Sequence, residues 1–194
     1  METKLIDLKR PLVLATASEA RRALVSATGL NFTASAVDID ESPLPGEEIS
    51  EYVERLSRAK ADAVLPPSLD ALIVAVDTAI GLGDEIIGKP KDASHARKIL
   101  TKLSGQTHEV ASAIALRDIM AASVSVEVTR TEVSFERLPE KTIEWYISTG
   151  EWKNRAGAYA IQGKGAALIS RVQGCFTNVI GISIPTLVRM LLSV

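Results

Sequence analysis

A single cysteine, Cys175, occurs among 194 residues, so no disulfide can form within the chain, and a reducing compartment suits such a sequence. Histidines number two, His95 and His108, and neither stands at a zinc-ligand spacing from Cys175. Aromatic residues make up only 4% of the chain, and Trp145 and Trp152 read as packing residues rather than as a platform for stacking bases. Charge of one sign is also lacking. Lys and Arg total 22 against 24 Asp and Glu, a net charge of −2, which excludes a general nucleic-acid-coating surface but leaves room for a local basic pocket. No apolar run approaches the ~20 residues of a membrane span, and "METKLIDLKR" is too short in apolar residues for a signal peptide, with Asp7 interrupting it. At 46% hydrophobic and 24% charged residues, the remainder reads as an ordinary globular chain of the cytoplasm, with neither nucleic acid nor membrane as a partner.

Helix and strand signals alternate early, and strands dominate the middle. "PLVLA" (11–15) reads as a buried strand, followed by a helix from Ser18 to about Thr28 with Gly29 as its stop. "FTASAV" (32–37) predicts a second strand, and "DIDESPLPGE" an irregular exposed loop. Residues 47–65 carry the clearest amphipathic helix, and "ALIVAV" (71–76) predicts a short central strand ending just before Asp77. "GLGDEIIGKPKD" supplies a turn, a short strand and a loop. A helix from about Asp92 to Leu103, strands near 107–117 and 123–135, a helix opened by Pro139 and a final helix around 184–193 complete the pattern. This order implies a mixed α/β sheet with flanking helices, in one domain over 1–194.

Against that background a few residues are out of place. Arg21 and Arg22 sit in the first turns of a helix whose start is already positive, where folding alone favours acids; a bound anion would account for them. Lys60 lies seven residues after Val53 and so nearly superimposes on it, in the middle of the stripe of Leu56, Ala63 and Val64. An unpaired buried ammonium costs several kcal/mol, so Lys60 must snorkel, pair with an acid or meet an anionic ligand. Asp77 follows a buried strand, where α/β sheets open into binding crevices, and reads equally as a metal ligand or base and as a corner residue bonded to backbone.

Lys89 in "GKPKD" is held between Gly88 and Pro90, without the pattern of a Walker loop or a dinucleotide fingerprint. "AGAYAIQGKG" (156–165) admits close backbone approach to a ligand and offers Gln162, or else forms a glycine-rich strand with a bulge. The acids of "DIDE" either join Asp77 around a cation or solubilise a loop, and His108 reads as structural. Several cations aimed at anions, with carboxylates aimed at a metal, form the combination that phosphoryl chemistry uses.

The motifs "LATASEARRALV", "VDIDESP", "RLSRAKADAV", "VAVDTAI", "IIGKPKD", "KLSGQTHEV", "TEVSF", "YISTGEW", "RAGAYAIQG" and "NVIGISI" occur in the order found in the Maf family, which they resemble over nearly the whole chain. The name of that family comes from septum formation. The resemblance implies an inosine-triphosphatase-like fold: a mixed, strongly bent sheet flanked by helices, with two lobes around a central cleft. It also implies cleavage of a nucleoside triphosphate between its α and β phosphates, a divalent cation (Mg²⁺, Mn²⁺ or similar) and a homodimer. Carried over position by position, the resemblance makes Asp77, Glu41, Lys60 and Lys89 catalytic, with Asp77 and Glu41 holding the metal. Thr16, Ser18, Arg21, Arg22 and Gln162 would bind substrate. The chain departs from the usual S-x-S-P-R-R element: Ala20 replaces its first arginine and no proline is present. Arg21 flanks the Leu24 face of the helix and is the better candidate of the pair. "AGAYAIQG" resembles the branch acting on dTTP and UTP, whereas the S-x-x-R-R-A-L spacing is nearer the 7-methyl-GTP branch; Gln162 and its glycines favour the pyrimidine branch. A nucleotide-sensing regulator that does not turn its ligand over is the alternative of another class.

Overall fold

Every residue of "LVLA" is buried in strand β1 (Leu12–Ala15). The computed structural model describes residues 6–194. Helix α1 (Glu19–Ser26) starts where the Ser18 hydroxyl accepts the Arg21 backbone N–H at 3.4 Å. The strand predicted over 32–37 shrinks to β2 (Thr33–Ala34), both residues exposed; its alternating Ala and polar side chains offer no apolar face worth burying. Helix α2 (Ile49–Asp62) lies inside the predicted span and opens at Glu48, whose N–H donates to the Glu51 carboxylate at 3.3 Å.

The central strand β3 (Leu72–Leu82) does not stop before Asp77 but runs straight through it. Its ladder with β5 (Thr107–Asp118) continues as far as Gly81↔Glu109, and Thr78 finds a polar cross-strand partner in Ser112. That pairing is why two polar residues do not end the strand. A turn at Gly83 leads into β4 (Glu85–Ile87), and Asp92 caps helix α3 (Ala93–Leu103) by accepting His95 N–H at 2.8 Å. The long hairpin of β5 with β6 (Ser123–Phe135) and helix α4 (Glu140–Thr149) after Pro139 match the sequence reading. The glycine-rich stretch is not a strand: it forms two 3-10 segments, Ala156–Ala158 and Gly163–Leu168, before β7 (Ile169–Gln173), α5 (Phe176–Ile180) and α6 (Ile184–Leu191).

The seven strands form one mixed, open sheet in the order β2-β1-β3-β5-β6-β7, with β4 also on β3. Strand β1 is parallel to β2 and β3, and the other pairings are antiparallel. One edge of β3 is covered throughout by β5. The opposite edge is shared: β1 pairs with it up to Ala15↔Ala75, and β4 from Ile80↔Ile87 onward. Between Ala75 and Ile80 no strand among the described residues pairs with that edge. The sheet is forked there, with Asp77 and Thr78 in the fork.

Alternation along β3 sends its side chains to two faces. Ile73 and Ala75 pack with Ala61 and Val64 on the α2 side, and Ala79 packs with Val53. On the other face Leu72, Val74 and Val76 pack with Val25, Leu187 and Leu191, while Ile80 belongs to a separate cluster with Leu100, Val110, Phe135 and Tyr146. Thr78 and Ser112 fall between these two clusters, so the core of that face is interrupted by a polar seam at the level of the fork.

Candidate active site

A cleft of about 1130 Å³ opens at the fork. Its wall includes Thr16 and Ser18 after β1, Gly88 and Lys89 after β4, Asp77 and Thr78 from β3, and Lys60 from α2. Both lips are segments that leave the sheet where pairing stops, which explains why residues distant in sequence meet there.

At the floor, Lys60 Nζ donates to Asp77 Oδ1 at 2.5 Å and to Glu41 Oε1 at 2.7 Å. Lys60 and Asp77 are 8% and 6% exposed, so this is an internal ion pair and not a surface contact. Lys89 Nζ reaches Glu41 Oε2 at 3.1 Å from the open side. Burial raises the Asp77 carboxyl above the usual range, with the Lys60 charge and hydrogen bond opposing it. Glu41 goes the other way: its partial burial is outweighed by Lys60 and Lys89, and its pKa falls. Two carboxylates in one site are thus held in contrasting environments, the pattern that separates acid from base roles.

Glu41 sits on the loop the sequence marks as irregular, and that loop is strapped to α2. Tyr52 Oη donates to Glu41 O at 2.8 Å, Arg55 Nη2 donates to Ser42 O at 3.1 Å, and Arg55 pairs with Glu47 at 2.6 Å. Burial, with Asp77 and Glu41 nearby, pushes the Tyr52 phenol up to about 12, so it remains a donor at neutral pH.

Arg21 lines the cleft and Arg22 is not among its lining residues. Arg21 Nε donates to Gly181 O at 2.8 Å and Nη2 to Thr78 Oγ1 at 3.0 Å. Burial draws its guanidinium down from the ordinary arginine range, against the pull of Asp77 and Glu41. Thr16 and Ser18 form the turn into the helix, with Ser18 N–H donating to Thr16 Oγ1 at 3.1 Å. Both residues line the cleft, and their hydroxyls accept backbone N–H groups at the start of the helix.

Gln162 lines the opposite wall with Glu151, Tyr159 and Ile161. Here a glycine is favoured at Gly157, where φ is +68° and a Cβ would stand 2.4 Å from the Cδ1 end of Ile80, which would have to shift. Its N–H donates to Gly88 O at 3.2 Å, tying this wall to the Lys89 loop. Ala158 follows with φ of 58°, left-handed backbone in a non-glycine residue at the cleft wall. Behind it Tyr159 Oη and His108 Nε2 share a hydrogen bond at 2.8 Å, and Phe135 packs edge-on to both rings. His108 is buried in this ring cluster, and burial lowers its pKa to about 4.

Tyr52, Arg55, Ser112, Gly181 and Glu151 escape the sequence reading. Glu151 accepts the N–H groups of Lys164 at 3.0 Å and Gly165 at 3.3 Å, holding the Gln162 segment. The acid in "STGEW" is its only sequence signal.

A metal would find two carboxylates here, Asp77 and Glu41. Among the described residues no group of three or more His, Cys, Asp or Glu side chains could hold an ion unaided. This hard, all-oxygen pair suits Mg²⁺ or Mn²⁺ completing its shell with phosphate oxygens and water. Lys60 already stands as a cation between the two carboxylates.

Residues 11–194 match the family described as Maf-like protein. The chain is 44% identical over 180 residues to a dTTP/UTP pyrophosphatase of Myxococcus xanthus (strain DK1622), covering 93% of this chain and 90% of the relative. It is 47% identical over 174 residues to a dTTP/UTP pyrophosphatase of Anaeromyxobacter dehalogenans (strain 2CP-1 / ATCC BAA-258), covering 88% and 87%. A dTTP/UTP pyrophosphatase of Pelotomaculum thermopropionicum (strain DSM 13744 / JCM 10971 / SI) is 38% identical over 182 residues, covering 94% and 95%.

Proposed function

The chain belongs to the Maf-like protein family, and from that premise we propose that it hydrolyses dTTP, UTP and related pyrimidine nucleoside triphosphates to the monophosphate and pyrophosphate. The observation that carries this reading is the meeting of Arg21, Lys60 and Lys89 with Asp77 and Glu41 in one cleft. Cations in that number suit a polyphosphate, and the raised Asp77 carboxyl suits a base. The relatives' names support the pyrimidine branch over 7-methyl-GTP.

In this mechanism Arg21 and Lys89 bind the phosphates, and Gln162, Ser18 and Thr16 orient the nucleotide. A water attacks the α-phosphorus in line, and Asp77 takes its proton. The new P–O bond forms as the bond to the β-phosphate oxygen breaks, and the electron pair leaves with pyrophosphate. Lys60 turns from the carboxylates toward the charge developing on the phosphates. A divalent cation held by Asp77 and Glu41 would supply further neutralisation of phosphate charge and a more acidic water. Association into a homodimer belongs to the same proposal and is measured by sedimentation.

The test is pyrophosphate release by the purified protein with Mg²⁺ or Mn²⁺ on dTTP, UTP, CTP, 7-methyl-GTP and the common purine triphosphates. We expect release fastest with dTTP and UTP, absent without the cation, and reduced by roughly 10² or more in Asp77→Asn. Release led by 7-methyl-GTP would move the assignment to that branch. Binding of nucleotide with no release from any of them would make the protein a sensor.

A further inference from the structure

Arg21 is a half-buried cation without an ion-pair partner among the described residues, and Asp77 and Glu41 act on it only from a distance. What holds it is a seat of neutral groups. Gly181 O accepts Arg21 Nε at 2.8 Å and also the Thr78 hydroxyl at 3.0 Å. Thr78 Oγ1 accepts Arg21 Nη2 at 3.0 Å and lies 2.8 Å from Ser112 Oγ. With one proton and two lone pairs per hydroxyl, Thr78 can give its proton to Gly181 O and accept from Arg21 and from Ser112, which also lies 3.5 Å from Asn178 O as an alternative acceptor. The carbonyl of Gly181 likewise spends both lone pairs, on Arg21 and Thr78. The guanidinium is pinned by two of its N–H groups, and its other N–H groups remain for the cleft it lines. Gly181 has φ of +137°, a backbone conformation that favours glycine, and its carbonyl is thereby turned to Arg21 and Thr78.

We propose that Thr78 is a positioning residue: with Gly181 and Ser112 it sets the orientation in which Arg21 meets the polyphosphate. This rests on the pyrophosphatase reading above. Thr78 touches no reacting atom in this scheme; it acts through Arg21. A neutral seat serves better than a carboxylate would, because a carboxylate would compete with phosphate for the guanidinium.

The experiment compares wild type, Thr78→Val, Thr78→Ser, Arg21→Ala and the double variant Arg21→Ala/Thr78→Val. It measures kcat and KM on dTTP and, separately, calorimetric binding of inorganic pyrophosphate. Thr78→Val keeps the volume and deletes the hydroxyl. We expect kcat/KM and pyrophosphate affinity to fall roughly 10- to 100-fold, and Thr78→Ser to recover all but a few-fold. The double variant should be no worse than Arg21→Ala alone, because both changes disable the same group. Additive losses, or an unchanged Thr78→Val, would overturn the proposal. If Thr78→Val does not fold, Ser112→Ala removes the hydroxyl that Thr78 is bonded to and must lower pyrophosphate affinity in the same direction. Should wild type turn over no nucleotide, the pyrophosphatase reading fails while the calorimetry still decides the seat. Wild type that turns over dTTP but binds no pyrophosphate overturns the seat's part in phosphate binding and leaves the pyrophosphatase reading standing.

Discussion

Lys60 and Asp77 meet at 2.5 Å, helix against strand, and the same ammonium holds Glu41 at 2.7 Å. The carboxylates that would bind a divalent cation therefore already share an internal one. Lys60→Met should destabilise the protein by about 3–5 kcal/mol, since it leaves buried carboxylate charge uncompensated. It should also let the nucleotide-free protein bind Mn²⁺ more tightly than wild type. Urea denaturation and titration of Mn²⁺ by its paramagnetic resonance check the two halves.

Tyr52 fixes the Glu41 loop through one hydrogen bond of 2.8 Å to a backbone carbonyl. Tyr52→Phe keeps the ring and loses that bond. We expect about 1 kcal/mol of lost stability and a several-fold rise in KM for dTTP, read from steady-state kinetics. An unchanged KM would show that Arg55 alone fastens the loop.

Gly157 and Gly83 share left-handed backbone, with φ of +68° and +59°, but differ in surroundings. A Cβ on Gly157 would force the Cδ1 end of Ile80 to move, whereas among the described residues nothing lies within 4 Å of one on Gly83. Gly83→Ala should cost about 1–2 kcal/mol, from backbone strain alone. Gly157→Ala adds overpacking and should cost about 2–4 kcal/mol, with loss of turnover as the wall beside Gly88 shifts. Chemical denaturation of the two variants gives the comparison.

His108 makes stability depend on pH. Its pKa of about 4 in the folded protein lies below the ordinary value of 6.5 because burial disfavours the imidazolium. Between those values the unfolded chain binds the extra proton and the folded protein does not, so unfolding is favoured as pH falls. The stabilisation is complete above pH 6.5 and is lost down to about pH 4, amounting to roughly 3 kcal/mol. Denaturation at pH 7 and pH 5 should show the loss, and His108→Phe should flatten it.

Much of the cleft is legible along the chain because burying charge is costly. Lys60 stands out in an apolar stripe, and the structure pairs it; the choice of Arg21 over Arg22 follows from the same helical geometry. Strand ends are harder to read. Nothing local shows that "DTAIGL" continues β3, since the ladder depends on Ser112 and its neighbours from a distant hairpin. The 3-10 path of "AGAYAIQG" escapes for a similar reason. It depends on the left-handed turn at Gly157 and Ala158 and on a bond to Gly88, none of which has a periodic signature. Nor does the sequence disclose the Arg21 seat, because a glycine carbonyl accepts hydrogen bonds without leaving any trace in residue type.

The forked edge of β3 turns the dimensions of the cleft into a matter of strand register. Its two limits are the pairings Ala15↔Ala75 and Ile80↔Ile87. Lengthening the pairing of β1 or β4 would zip the aperture shut over Asp77 and Thr78, and shortening it would widen the mouth without changing any side chain within. Neighbouring residues of β3 also serve opposite sides of the sheet at that opening, Asp77 toward Lys60 and Thr78 toward Arg21. A sheet that elsewhere acts as a partition becomes, for a few residues, a doorway onto which groups from both of its sides converge.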